Sequence, residues 1–134
     1  MIPARLSPHR FAAALAARLN AVVPSGLTVR AEGSAVSVYD PALCGGSYGA
    51  DSLGKEDGRS LVESVEVTAW AIMEAIQDVV MESTREQWPM GATRAADAGA
   101  RVVGDQLHLW FGDEDKPVVR LESVDLTRLA NGAV

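Results

Sequence analysis

Residues 61–87 read LVESVEVTAWAIMEAIQDVVMESTREQ, the longest stretch of the chain in which apolar residues recur at helical spacing. On a helix of 3.6 residues per turn, nine side chains fall in one stripe, which predicts the face that packs against the core. They are Leu61, Val62, Val65, Ala69, Ile72, Ile76, Val79, Val80 and Ser83. Burial stabilises each aliphatic side chain by roughly 1.5–3 kcal/mol, so we expect a helix that forms only when docked.

Both ends of this helix are predicted from local chemistry. Ser60 lies three residues before Glu63, which is the spacing of a capping box. Pro89 lacks an N–H donor and disfavours α geometry at Trp88, so the helix is expected to end before these two residues.

The side of the helix opposite the apolar stripe is acidic. Within 61–87 there are six acidic residues and one basic residue, a formal charge of −5. Such a face is usually only solvated. However, Val67, Trp70 and Met81 lie on the same side, and apolar side chains among acids indicate a second contact. The candidate partner-binding residues are therefore Val67, Trp70, Glu74 and Met81.

Composition limits the function classes. A chain of 134 residues fits one domain spanning 1–134, and 48% apolar with 22% charged residues is typical of a globular protein. No apolar run approaches the roughly 18 residues of a membrane span. The short apolar segment 11–17 fits an amphipathic helix better than a signal peptide, so we expect a cytoplasmic protein. A net charge of −6 argues against nucleic acid as a partner.

The N-terminal part predicts a helix followed by a hairpin. Ser7 and Pro8 suit the N-cap and the first position of a helix over 7–23. Residues 27–31 and 35–39 then alternate as strands do. The expected inward side chains of the hairpin are Leu27, Val29, Val36 and Val38.

Residues 41–60 have no periodicity and are rich in Gly, Ser and Asp, which predicts a long mobile loop. Within it, GADSLGK at 49–55 matches half of a phosphate-binding loop. Because Glu56 and Asp57 follow where a Ser or Thr is needed, we expect no nucleotide binding. Cys44 is the only cysteine, so no internal disulfide forms and a free thiol is expected.

The C-terminal part predicts a three-stranded meander. Residues 101–103 and 106–111 flank Gly104-Asp105, a two-residue hairpin turn, and 117–121 forms the third strand. By the period of two, the inward side chains are Leu107, Leu109, Phe111, Val119 and Leu121. The outward side chains are Gln106, His108, Trp110, Arg120 and Glu122.

This outward face offers an alternative site. Gln106, His108 and Trp110 could line a small-molecule pocket under the 41–60 loop, although polar residues on the outer face of an antiparallel sheet usually have no such role. The acidic run 113–115 lacks the ligand spacing of a calcium loop, so no metal site is expected. We expect no cofactor and find no catalytic constellation, which makes a non-enzyme the better interpretation.

The order α-β-β-α-β-β-β predicts a two-layer α+β fold, in which one long and one shorter helix cover an antiparallel sheet of about five strands. In element order and acidity, the chain resembles the type III secretion chaperone-like fold. Its third C-terminal strand departs from the closing helix of that family. The segment LHLWFGDEDKPV, residues 107–118, is also similar to uncharacterised small proteins of GC-rich bacteria.

The resemblance implies a dimeric, non-catalytic protein-binding module. Our first hypothesis is therefore a protein-binding or chaperone-like adaptor that acts as a homodimer through the Trp70 side of the long helix. The alternative is a small-molecule-binding domain or enzyme that uses the His108 face.

Overall fold

A computed structural model describes residues 2–3, 5–41, 44–50, 53 and 60–130, with only the backbone of residues 44–48. The fold is α+β, as predicted. In chain order the elements are α1 (Pro8–Asn20), β1 (Thr28–Glu32), β2 (Ala35–Tyr39), β3 (Cys44–Gly49), α2 (Leu61–Thr84), β4 (Ala98–Val103), β5 (Gln106–Gly112), β6 (Pro117–Arg120), β7 (Val124–Asp125) and a 3-10 helix (Leu126–Leu129).

The strands form two antiparallel sheets rather than the single sheet expected from the sequence. One sheet has the order β1-β2-β3, and the other has the order β4-β5-β6 with β7 also paired to β5. Two of these strands, β3 and β7, were not predicted. The sequence of β3, CGGSYG, has no alternation, so its pairing with β2 depends on tertiary contact rather than local preference.

The segment 41–60 is therefore not wholly a loop, because part of it is β3. Residues 42–43, 51–52 and 54–59 lie outside the described residues, as does most of the half-motif 49–55. The predicted mobility of this segment stays a prediction.

The first helix begins as its sequence predicts, but it ends at Asn20 rather than at residue 23. The Ser7 hydroxyl accepts a hydrogen bond from the Arg10 N–H at 3.2 Å, and Pro8 occupies the first turn. The buried side is formed by Phe11, Ala12, Leu15, Ala16 and Leu19, and the helix packs against β1 and β2. At its end, Asn20 Oδ1 accepts from the Val29 N–H at 2.8 Å, which ties the helix to the first strand.

Both ends of α2 show why the helix has these limits. The Ser60 hydroxyl accepts from the Glu63 N–H at 3.1 Å and lies 3.3 Å from Glu63 Oε1. The helix ends at Thr84 rather than Gln87, because Arg85 adopts a left-handed conformation with φ of 61°. The Arg85 N–H donates to the Met81 carbonyl at 2.8 Å, which closes the last turn.

The buried face of α2 is broader than the predicted stripe. Val65, Ala69, Ile72, Ile76 and Val80 are buried as expected. Val62 is exposed, and Leu61, Val79 and Ser83 are only partly buried. Four side chains outside the stripe are buried instead, namely Ser64, Thr68, Met73 and Gln77. The helix packs against both β3 and β4, so it buries side chains toward two sheets, whereas the prediction assumed one.

Gln77 is the buried side chain that ties α2 to the segment before β4. Its side-chain amide donates to the Ala96 carbonyl at 2.6 Å and to the Trp88 carbonyl at 3.1 Å. These bonds satisfy a buried polar group and fix the segment that leads from α2 into β4.

The predicted C-terminal hairpin is confirmed. Val103 pairs with Gln106 across a turn in which Gly104 has φ of 63°. The inward side chains Leu107, Leu109, Phe111 and Leu121 are buried, and Val119 is half-buried. Among the described residues, neither helix is long and apolar enough to cross a membrane.

Candidate functional site

A side chain of α2 is hydrogen-bonded to the backbone at one edge of the C-terminal sheet. Glu66 Oε2 accepts a hydrogen bond from the Val102 N–H at 2.8 Å. The Gly112 N–H donates to the Asp97 carbonyl, so odd-numbered residues of β4 bond to β5. The backbone of Ala100, like that of Val102, therefore faces the other edge, where α2 lies.

The rise of α2 and the advance of β4 are nearly equal, so the two elements stay side by side along this edge. One step of four residues on a helix rises about 6 Å, and two residues of a strand advance about 6.6–6.8 Å. Trp70 follows Glu66 by four residues, and Ala100 precedes Val102 by two. Trp70 and Ala100 also line the same groove, so the helix runs beside β4 in the opposite direction. In this position α2 covers an edge that would otherwise be open to pairing with another strand.

The groove lies between α2 and the outer surface of β4, and has a volume of about 540 Å³. We call it the Trp70 groove. It is lined by Glu66, Val67, Trp70, Gly99, Ala100, Arg101, Trp110 and Glu114. Val67 is 41% exposed and Trp70 is 43% exposed, so its helical wall presents apolar surface to solvent.

The far side of the groove depends on a glycine. Trp110 belongs to the outward face of β5, yet it is only 7% exposed. It pairs in register with Gly99, and a Cβ built on Gly99 would overlap the indole ring. The indole therefore lies across the glycine, and its Nε1–H donates to the Gly112 carbonyl at 3.1 Å. The missing side chain at Gly99 is what allows Trp110 to fold down onto β4.

Charged side chains border these apolar walls. Arg101 Nη1 lies 2.8 Å from Glu114 Oε2, and both side chains are about half exposed. On α2, Glu74 is exposed one turn beyond Trp70, and Glu66 lies one turn before it. Glu66 uses one carboxylate oxygen for Val102, and within the described part of the chain its other oxygen has no hydrogen-bond partner. The groove is thus apolar at its centre and acidic at its border.

The structure brings together residues that the sequence assigned to two separate candidate sites. Val67 and Trp70 of the partner-binding set line one groove with Trp110 of the ligand face. Glu74 is exposed one turn of helix beyond Trp70 and is not among the lining residues. Met81 is half-buried and lies three turns of helix beyond Trp70, so it does not line this groove.

The other two residues of the ligand face lie elsewhere. Gln106 accepts from the Ser123 hydroxyl at 3.3 Å and lines a separate cleft with Arg18. His108 is half-buried and pairs in register with Arg101, but it does not line the Trp70 groove. The described strand of the 41–60 segment pairs with β2 in the other sheet.

The chemistry of the groove suits binding. Its described lining contains no histidine, cysteine or hydroxyl side chain, and its ionisable groups are the carboxylates of Glu66 and Glu114 and the guanidinium of Arg101. No group of metal-ligating side chains occurs among the described residues. The acids whose pKa is shifted lie outside the groove. Hydrogen bonds from Arg94 lower the pKa of Asp97, and the Thr127 hydroxyl lowers that of Asp125.

Five residues of the groove's described lining were not among the predicted site residues, namely Glu66, Gly99, Ala100, Arg101 and Glu114. The predicted strand began at Arg101 and so left out Gly99 and Ala100, although Gly99 and Trp110 are equidistant from the predicted turn at Gly104-Asp105. That symmetry places a glycine opposite an aromatic residue and could have identified the pair.

No protein-family model, curated protein or solved structure matches this chain. Its function is therefore inferred from the groove.

Proposed function

We propose that the protein is a non-catalytic protein-binding module, of the adaptor or chaperone-like kind, and that its contact surface is the Trp70 groove. The observation that carries this proposal is the 43% exposure of Trp70 on a helix whose other side is buried in the core. Tryptophan is among the side chains most enriched at the energetic centres of protein interfaces.

The other two tryptophans show that Trp70 is unusual within this chain. Trp88 packs edge-on against Phe111, with ring centroids 5.3 Å apart. Trp110 is covered and its Nε1–H is hydrogen-bonded. Trp70 and the neighbouring Val67 instead leave a joined apolar surface in water, and a partner that covers it would recover the hydrophobic stabilisation.

The alternative function, a small-molecule site on the His108 face, has less support. Of the three residues assigned to it, only Trp110 lines the groove. A volume of about 540 Å³ would suit a small ligand. However, such pockets owe their specificity to convergent polar groups, and Gln106 and His108 do not line the groove.

A homodimer through Trp70 stays a prediction from the sequence, and it would use the same surface. Glu63, Glu74 and Asp78 are exposed on this helix. Across a two-fold axis they would face their own copies, and like charges oppose association. We therefore propose that such a dimer is weak and gives way to a partner with better matched charge.

The test is an array of ten-residue peptides that covers basic, acidic, apolar and neutral polar compositions. It is probed with the labelled wild-type protein, with Trp70→Ala and with Met90→Ala. Met90 is the matched control, because it is an exposed apolar side chain outside the groove. We expect at least one class of peptide to bind, and this binding to be lost in Trp70→Ala but kept in Met90→Ala. Absence of binding, or binding that is equal in the three proteins, would refute the proposed function.

A further inference from the structure

The charge around the Trp70 groove specifies the kind of partner that fits it. Resting on the proposed protein-binding function, we propose that the partner presents a basic segment, and that an arginine or lysine side chain of this segment lies against the Trp70 indole. The occupant is thus a cationic stretch of another protein.

Trp70 lies between two carboxylates on its own helix. Glu66 precedes it by four residues and Glu74 follows it by four, so both lie on the same side of α2, one turn away in each direction. Glu66 is held in place by the Val102 N–H at 2.8 Å. A cation over the indole would therefore meet a negative charge on either side without any rearrangement of Glu66.

The indole itself favours a cation. The face of a tryptophan ring attracts ammonium and guanidinium groups, and Trp is the best of the aromatic residues for this contact. A guanidinium is planar, so it can stack on the ring while its N–H groups donate to a carboxylate. An apolar partner would cover Trp70 equally well, but it would also remove water from Glu66 and Glu74 without replacing their hydrogen bonds.

Arg101, the one basic residue in the described lining of the groove, does not oppose this occupant. Arg101 is paired with Glu114 at 2.8 Å, so its charge is matched within the groove. Glu66 then leaves the described lining with one excess negative charge. The stretch 61–87, which includes Glu66, has a formal charge of −5. A basic segment is complementary to this surface, whereas a second copy of the chain, with a net charge of −6, is not.

The test uses three nine-residue peptides in which serine alternates with arginine, with glutamine or with glutamate. Binding to the full-length protein is followed by fluorescence anisotropy of the labelled peptide at low and at physiological salt. We expect the arginine peptide to bind at least about tenfold more tightly than the glutamine peptide, which is the scale of a partly shielded cation–π contact with an ion pair. The glutamate peptide should not bind, and added salt should weaken the arginine peptide.

Variants locate the contact. Trp70→Ala should weaken the arginine peptide about tenfold, and Glu74→Gln should weaken it by a smaller factor. Glu122→Gln is the control, since it removes a carboxylate that is also exposed but lies outside the groove. Circular dichroism of each variant establishes that it is folded.

The outcomes separate this inference from the function on which it rests. Equal binding of the arginine and glutamine peptides, or an effect of Glu122→Gln as large as that of Glu74→Gln, overturns the basic partner. If non-basic peptides of the array then bind in a Trp70-dependent way, the protein-binding function stands and only the partner's chemistry was wrong. If nothing binds through Trp70 on the array either, both proposals fail. An arginine peptide that binds but leaves a Trp70-dependent dimer intact also contradicts this inference, because the second copy is then the occupant.

Discussion

The carboxylate of Glu66 accepts the N–H of Val102, which lies on the edge of β4 that β5 leaves unpaired. A helix side chain thus occupies a backbone donor that another strand would otherwise use. The bond also sets where Trp70, one turn later, lies along β4. The position of the proposed partner surface therefore depends on a contact that itself contributes to stability.

Replacement of Glu66 by alanine should destabilise the fold. The change leaves a half-buried N–H without its partner, so we expect a loss of about 1–3 kcal/mol in the free energy of unfolding. Urea denaturation measures this loss, and amide exchange of Val102 should become faster. The control is Glu74→Ala, which removes the same charge from the same side of α2 but no bond to β4. Equal stability of the two variants would show that the Glu66 contact contributes nothing.

A side chain at position 99 should displace Trp110. Because the Cβ of Gly99→Ala would overlap the indole, we expect about 1–3 kcal/mol of destabilisation and greater solvent exposure of Trp110. Urea unfolding and fluorescence quenching measure these two effects. In a Trp110→Leu background, where no indole covers position 99, the same Gly99→Ala change should cost much less. An equal loss of stability in both backgrounds would show that the backbone at position 99, and not the indole, causes the destabilisation.

The sequence predicted the elements whose periodicity is strong and failed where tertiary contact decides the structure. The stripe of α2 and the hairpin around Gly104 were found because each buries one regular face. The strand β3 was missed because CGGSYG has no alternation of its own. The burial of Thr68 and Gln77 was missed because it requires that α2 pack against two sheets.

The candidate site was predicted only in part, for a related reason. Trp70 was identified as an exposed aromatic residue by its position on the helix, but the sequence placed Trp110 on a different surface. Their approach depends on the Glu66 bond to β4 and on the absence of a side chain at Gly99. Both are pairwise contacts between elements, and no periodicity within one element reveals them.

The pKa of Asp125 should depend on Thr127. The Thr127 hydroxyl donates to Asp125 Oδ1 at 2.6 Å and the Thr127 N–H donates to it at 3.0 Å, and these bonds lower the pKa of the carboxyl. A lowered pKa gives stabilisation that is present above the ordinary pKa of aspartate and is lost as the pH falls through the lowered value. In Thr127→Val, a carboxyl NMR titration should find the pKa of Asp125 closer to its ordinary value. If the pKa of Asp125 is the same in the variant as in the wild type, the Thr127 hydroxyl is not the cause of its lowered value.

Self-association should require Trp70. We expect light scattering to give a dimer mass for the wild type that falls to a monomer mass in Trp70→Glu at matched concentration, with circular dichroism unchanged. Since the acids of α2 repel across a two-fold axis, higher salt should strengthen the dimer. A dimer that persists in Trp70→Glu would place the contact on another surface.

The central claim is that the Trp70 groove is the partner surface, and the indole N–H resonances of the three tryptophans test it most directly. The tightest-binding peptide of the array, whatever its charge, is titrated into the protein labelled with nitrogen-15. The indole resonance of Trp70 and the backbone amides of Gly99, Ala100 and Arg101 are predicted to shift most. The resonance of Trp88, packed on Phe111, should stay in place. A Trp70 resonance that does not move at saturating peptide, with the largest shifts outside α2 and β4, would contradict the claim.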